Sequence, residues 1–326
     1  MRKSGEIWSV HVREIIEREA GPFISVEIIP PRRGGRVEAF HQAVESLLPY
    51  RPRYINITSH AAEAIWQEQP DGTYRRRVRR RSPGTFGLAA IIKYKYGIEP
   101  VPHLLCHGFT REETEDALIE LHYLGVENVL ALQGEEKYAR PPRPDRTVNL
   151  YAVELVEQIM GMNRGIYLDE LTDAEPTNFC VGVAAYPEKH YQAPNLHFDL
   201  LNLKRKQDAG AGYAITQLFF DNRYYYEFLA KARELGITIP IIPGLKILTK
   251  RDHLYNLPKV FHITIPEPLA EAVLQAKNDT EVQAIGIEWA YHQAMDLLNH
   301  GVKNLHFYTM LYTKPLSRLM EKLRLD

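Results

Sequence analysis

The chain has 326 residues, 45% of them hydrophobic, and its 40 Lys and Arg against 41 Asp and Glu leave a formal net charge of -1. That length suits one large α/β barrel or two smaller domains, and the balanced charge excludes a global field of the kind that drives nonspecific nucleic-acid binding. Two cysteines, Cys106 and Cys180, form no CxxC pair, no early apolar segment reads as a signal, and no apolar run reaches the roughly 18 residues of a membrane span. The expectation is a reduced, cytoplasmic setting and small-molecule partners, with no nucleic acid and no membrane.

In chain order, residues 1–21 read as a polar helix ending at Gly21, placed to cover a barrel or to make a homo-oligomer contact. Residues 23–31, FISVEIIPP, form a strand stopped by two prolines and holding one acid, Glu27, in an apolar run. Desolvation raises a carboxyl pKa, so Glu27 suits a general acid, the alternative being a glutamate paired with a buried cation. A helix over 37–48 leads to RYINIT, ending at Thr58. Residues 60–84 read as loop and carry RRRVRRR at 75–81, a solvated insertion or a polyanion contact. The third strand, EPVPHLLC, contains His103; with Cys106 and His107 it fits no common metal spacing, so a core histidine is expected and no metal site. Thr110 and Glu113 form a capping box that starts the next helix, and Gly125 ends it.

The fourth strand, NVLAL, runs into Gln133-Gly134-Glu135-Glu136, and a helix is expected over 147–160. Residues 181–185 form strand five, ending at Tyr186-Pro187-Glu188; a helix starts at Pro194 or Asn195 and runs through Lys206 to Gly210. Strand six, 213–220, carries Thr216 and Gln217, and a buried amide there needs a partner that apolar neighbours do not supply. On the intervening helix Asp199, Asn202, Arg205 and Lys206 recur at spacings of three and four, either as an amphipathic surface face or as a stripe for a hydroxylated, phosphorylated cofactor. A helix over 222–235, strand seven in ITIPIIPG, a helical region over 250–300, strand eight in NLHFYT and a helix from Lys314 complete the chain.

Eight strands each followed by helix predict a single (β/α)8 TIM barrel over residues 1–326, with an N-terminal helix and loop insertions. Thr58, Gln133, Glu135, Tyr186, Gln217 and Tyr308 all fall at or near strand C-terminal ends, the face where barrel enzymes assemble their sites. Neither GxGxxG after a strand nor GxxxxGK[ST] occurs, so a pyrophosphate needs side-chain cations; no GxSxG elbow supports nucleophilic hydrolysis.

VEIIPPR, PHLLC, VLALQGE, AAYPEKH, DLLNLKRKQDAGA, ITQLFFD, IIPG and HFYT, in that order along nearly the whole chain, resemble methylenetetrahydrofolate reductase. The resemblance implies a flavin barrel that reduces 5,10-methylenetetrahydrofolate to 5-methyltetrahydrofolate, with FAD reduced by NADH or NADPH in a ping-pong scheme. It places the catalytic glutamate at Glu27, the flavin contacts at Thr58, Ser59, Ala61, His103, Gly134, Tyr151, Ala152, Tyr186, His190, Asp199, Asn202, Arg205 and Lys206, and a folate contact at Gln217. Where the family commonly has Leu-Arg-Gly-Asp, this chain has Leu132-Gln133-Gly134-Glu135, so Gln133 and Glu135 are expected at the flavin, with Glu135 also a catalytic residue that bonds the pterin and stabilises the developing positive charge. Two further departures are Tyr312, near which Lys314 lies, where some relatives place a folate-binding arginine, and His253 near the place of a glutamine. The competing readings are a proline dehydrogenase-type flavin barrel and a flavin- or folate-binding protein without turnover.

Overall fold

The computed structural model describes residues 9–139 and 142–325. Of the helix expected over 1–21, the described residues hold α1, Val12–Arg18, and residues 1–8 lie outside the described part. Val12 is fully buried among Phe23, Tyr54, Val101, Leu130 and Tyr213, so α1 packs on the barrel interior. Its N–H donates to Asn128 Oδ1 at 2.8 Å, while Asn128 Nδ2 donates to Val10 O at 2.9 Å. α1 therefore covers this end of the barrel.

The strands β1 (Phe23–Ile28), β2 (Tyr54–Ile57), β5 (Glu99–Leu105), β6 (Asn128–Leu132), β7 (Cys180–Ala185), β8 (Tyr213–Thr216), β9 (Ile241–Ile242), β10 (Gly244–Leu245) and β11 (Asn304–Tyr308) form one parallel sheet. Its order is β10-β11-β1-β2-β5-β6-β7-β8-β9, a nearly closed barrel. The expected seventh strand is two short pieces because Pro243, which has no N–H, separates them. Its carbonyl still accepts from His306 N at 3.0 Å, so β9 pairs with β8 and β10 with β11 on either side of the break.

The helices α2 (Val37–Leu47), α3 (Thr85–Tyr96), α4 (Arg111–Tyr123), α5 (Ala152–Met162), α6 (Leu196–Asp208), α7 (Asn222–Glu234) and α11 (Lys314–Leu323) follow strands around the barrel. Burial of their apolar stripes on the outer strand faces forms the main core. The Thr110 box closes as expected, with Glu113 N on Thr110 Oγ1 at 3.0 Å and Thr110 N on Glu113 Oε2 at 2.8 Å. The helical region over 250–300 is three helices, α8 (His253–Phe261), α9 (Glu267–Gln275) and α10 (Asp279–Asn299), divided at His262 and at Asn278, which caps α10. The fifth helix begins at Ala152 rather than near 147, and strand six ends at Thr216, which leaves Gln217 just beyond it. No described helix is long and apolar enough to cross a membrane.

Residues 60–84 are not loop. They hold the antiparallel hairpin of β3 (Glu63–Glu68) and β4 (Tyr74–Arg79), which puts the arginine run on a strand. The reason is that Ala64, Trp66, Tyr74 and Val78 recur at period two and share one face of the pair, with a turn in which Gly72 takes φ +78°. Glu63 holds Arg79 and Arg81 at 3.3 and 2.7 Å, and Arg80 lies over the Phe109 ring at 4.7 Å.

Inside the barrel the layers are partly polar. Tyr54 OH donates to Asn304 Oδ1 at 2.6 Å, Asn304 Nδ2 to Ser25 Oγ at 3.2 Å, and Ser25 Oγ meets His306 Nδ1 at 2.9 Å. The large Tyr213 ring fits because its β7 partner is Gly182, where an added Cβ would lie 2.4 Å from Tyr213 Cζ. Gly182→Ala is expected to cost about 1–3 kcal/mol in urea unfolding through overpacking, and Tyr213→Leu in the same chain to recover part of it. A Gly182→Ala variant as stable as the parent would show that the ring has room to move.

Candidate active site

Glu27 stands at the C-terminal end of β1, in register with Asn56 of β2 and Tyr308 of β11. Its carbonyl accepts from Thr309 N, Met310 N and Thr309 Oγ1 at 3.1, 3.2 and 2.9 Å, so the chain after β11 turns back over it. Met310 takes φ +59° to make that turn. The Glu27 side chain is 19% exposed, with Oε2 at 3.5 Å from His103 Nε2. Burial pushes its carboxyl up to about 8, against the pull of Lys246. Burial, and then the proximity of His60, hold His103 down at about 3. Near neutrality the two are therefore a carboxylic acid beside a neutral imidazole rather than an ion pair. A nearby cation does exist in Lys246, but its ammonium donates to Tyr308 O at 3.2 Å.

The stripe on α6 divides. Asn195 caps the helix by accepting from Phe198 N at 3.1 Å. Asp199 is buried, accepts from His190 N at 2.8 Å, and burial raises its carboxyl pKa. Lys206 reaches back to β7 and donates to Ala184 O at 3.3 Å, and burial lowers its ammonium. Asn202 and Arg205 are exposed, joined by a 3.2 Å bond from Arg205 Nη1 to Asn202 Oδ1. His190 lies between Tyr186 and Tyr191, ring centroids 4.5 and 4.7 Å away, and burial holds its imidazole at about 4. Tyr186, His190, Asp199 and Lys206 are thus one cluster.

After β2, Thr58 O accepts from Thr85 Oγ1 at 3.0 Å, Ser59 is half-buried, and Ala61 packs on Gly108, where an added Cβ would lie 2.4 Å from that of Ala61. Gln133 Nε2 donates to Leu150 O at 3.3 Å, which ties the end of β6 to the turn where Tyr151 is exposed and Ala152 buried. Gly134 takes φ +86° against His107. Glu135 is exposed and paired with Lys137 at 2.5 Å. Gln217 is half-buried and its Oε1 accepts from Leu218 N at 3.0 Å, so its amide oxygen is satisfied locally. Tyr312 OH accepts from Gln283 Nε2 at 2.8 Å and His253 Nδ1 from Thr249 N at 3.3 Å.

Sequence reading missed Lys246 and His60. The signal for Lys246 was a single cation in the apolar run GLKIL directly after a strand. Thr58 Oγ1, His60 Nδ1 and His107 Nδ1, all just past strand ends, are buried without a hydrogen-bond partner. A polar ligand is the kind of partner such atoms lack. The donor set therefore fits a polar cofactor, whereas no group of three or more His, Cys, Asp or Glu suited to a metal occurs among the described residues. A cavity of about 320 Å³ lies elsewhere, on the outer wall between α4 and α5, lined by Arg111, Glu115 and Glu157.

A family profile described as methylenetetrahydrofolate reductase matches residues 11–324. The chain belongs to the methylenetetrahydrofolate reductase family. It is 31% identical over 288 residues to the 5,10-methylenetetrahydrofolate reductase of Salmonella typhimurium, covering 88% of this chain and 86% of that protein. It is 30% identical over 319 residues to the probable methylenetetrahydrofolate reductase (NADPH) of Caenorhabditis elegans, 94% of this chain but 44% of that longer protein. Among solved structures, an uncharacterized Clostridium thermocellum protein that binds two copies of 5-methyl-5,6,7,8-tetrahydrofolic acid aligns with TM-score 0.60 at 14% identity, over 97% of this chain and 99% of that one. At that identity the likeness concerns the fold.

In this member of the methylenetetrahydrofolate reductase family the loop after β7 depends on Asp199. Asp199→Ala leaves the His190 N–H without its acceptor, and a loss of about 1–3 kcal/mol in chemical denaturation is expected. Unchanged stability would show that the bond does not hold the loop.

Proposed function

We propose that this protein reduces 5,10-methylenetetrahydrofolate to 5-methyltetrahydrofolate, using bound FAD and either NADH or NADPH, in one barrel domain. The observation that carries the reading is Glu27, a carboxyl at a strand C-terminal end whose burial keeps it protonated up to about pH 8. Bound FAD supplies the hydride. Ring opening of the substrate needs a proton on the leaving nitrogen, and Glu27 is the acid that gives it. His103, neutral at 3.5 Å, adds no positive charge that would strip the proton from Glu27 beforehand.

Lys206 and Arg205 would be the cations to meet a pyrophosphate, and Asp199 and Asn202 would bond sugar hydroxyls. Thr58, Ser59, Ala61, Gln133, Gly134, Tyr151, Ala152, Tyr186 and His190 complete the cofactor wall, with Glu135 and Gln217 at the folate. The orphaned hydroxyl of Thr58 supports this placement. Donor and folate use the same face in turn, a ping-pong scheme.

Two experiments test the reading. Arg205→Ala with Lys206→Ala is expected to weaken FAD binding by about 1.5–3 kcal/mol per lost charge-assisted contact, read by flavin fluorescence titration. Unchanged affinity would return the stripe to a surface face. Glu27→Gln is expected to accept electrons from the nicotinamide donor at the parent rate and to fail with folate. In the parent, the folate half-reaction needs the protonated carboxyl and so runs below about pH 8 and falls as pH rises through that value. Equal slowing of both half-reactions in the variant would make Glu27 structural.

A further inference from the structure

Lys246 is the residue at this end of the barrel that neither the motifs nor the cofactor stripe absorbs. It follows β10 directly, and β10 pairs with β11 through Gly244–His306 and Leu245–Phe307, so Lys246 comes level with Tyr308. Tyr308 is in register with Glu27 on the other side of β11. Three neighbouring strand ends thus present Lys246, Tyr308 and Glu27 in a row. The half-buried Lys246 ammonium donates to Tyr308 O at 3.2 Å, and no carboxylate lies within ion-pair distance of it among the described residues. The hydrogen bond thus fixes the charge near Glu27 without pairing the two directly.

The other titratable groups facing Glu27 are neutral in the working range. His103 on β5 and His306 on β11 are both held at about 3 by burial. His60, after β2, is lowered by burial, and Tyr308 and Tyr186 are raised by it. Behind Lys246 stand Lys250 and His253, the latter held at about 4. Among the described residues Lys246 is therefore the cation that acts on Glu27, and the effect is mutual: it favours the carboxylate and is itself favoured as ammonium.

We propose that Lys246 is a positioning residue for acid catalysis by Glu27: its ammonium, pinned on the Tyr308 carbonyl, stabilises the Glu27 carboxylate formed when the proton leaves. This rests on the reaction proposed above. In the step, the Glu27 O–H bond breaks and an N–H bond forms on the leaving nitrogen of the substrate, while the bond from that nitrogen to the methylene carbon breaks and its electron pair stays on the nitrogen. Lys246 keeps its three protons throughout, and Glu27 regains one from water before the next turnover. Without the cation, Glu27 holds its proton more tightly and is a weaker acid.

The test uses Lys246→Met, which removes charge and hydrogen bond; Lys246→Gln, which removes the charge but keeps an N–H donor; and Lys246→Arg, which keeps the charge. Two readouts are taken: the pH profile of the folate half-reaction, and the titration of Glu27 followed by carbon-13 NMR in substrate-free protein. In the Met and Gln variants both the alkaline limb and the Glu27 titration should move up by about one pH unit, a tenfold change in proton affinity, with kcat reduced and KM little changed. Arg should restore the parent profile. If the Met variant does not fold, Gln carries the comparison. A Glu27 titration that stays in place in both neutral variants, while the parent reduces folate, overturns the assignment. A titration that moves in a parent without folate turnover leaves the electrostatic coupling standing, and the catalytic role falls with the proposed reaction.

Discussion

A carboxyl group withdrawn from water keeps its proton to higher pH, and the end of this barrel is arranged around that one displacement at Glu27. Strand β1 carries it to a buried strand end between Asn56 and Tyr308, the turn at Thr309 and Met310 closes over its backbone, and a neutral imidazole stands at 3.5 Å. The arrangement opposes folding at higher pH. Between the ordinary value of 4.5 and about 8 the folded protein binds a proton that the unfolded chain releases, so the stability contributed by this group falls as pH rises across that window. A cost of this kind, borne at a strand end, is what an acid–base site requires.

The framework below it is cross-linked by buried hydrogen bonds. Tyr54, Asn304, Ser25 and His306 form a continuous chain of hydrogen bonds below the site, and Tyr308 OH donates to Thr216 O at 2.6 Å to tie β11 to β8 across the break at Pro243. Buried atoms without partners occur on the strands themselves, at Asn56 Oδ1, Tyr213 OH and His306 Nε2, and just past strand ends at Thr58, His60 and His107. Unpartnered polar atoms just past strand ends are what a barrel with its function at the C-terminal face is expected to show.

Much of this was legible in the sequence because strand ends announce themselves. FISVEIIPP has an apolar run, one acid and two prolines, and NLKRKQDAG has helical spacing with a closing glycine; both fold as read. The misreadings share a cause, since each turned on which segments pair with one another rather than on the periodicity of one segment. The arginine-rich segment became a strand only by pairing with residues 63–68, and the seventh strand split because Pro243 had to face two different partners. Periodicity grouped Asp199 with Asn202, Arg205 and Lys206, but only the fold could send Asp199 and Lys206 inward to the β7 loop and leave Arg205 in solvent. Lys246 was one lysine among many until β11 brought Glu27 to within two strands of it.

The most direct test of this account is the protonation state of Glu27 itself, observed without any substrate. Isotope-edited infrared difference spectra, comparing labelled parent with Glu27→Gln, report whether the side chain carries a carboxylic C=O stretch or carboxylate bands. The account predicts a carboxylic acid at neutral pH that ionises near pH 8. Carboxylate bands already present at neutral pH, in folded protein, would contradict it.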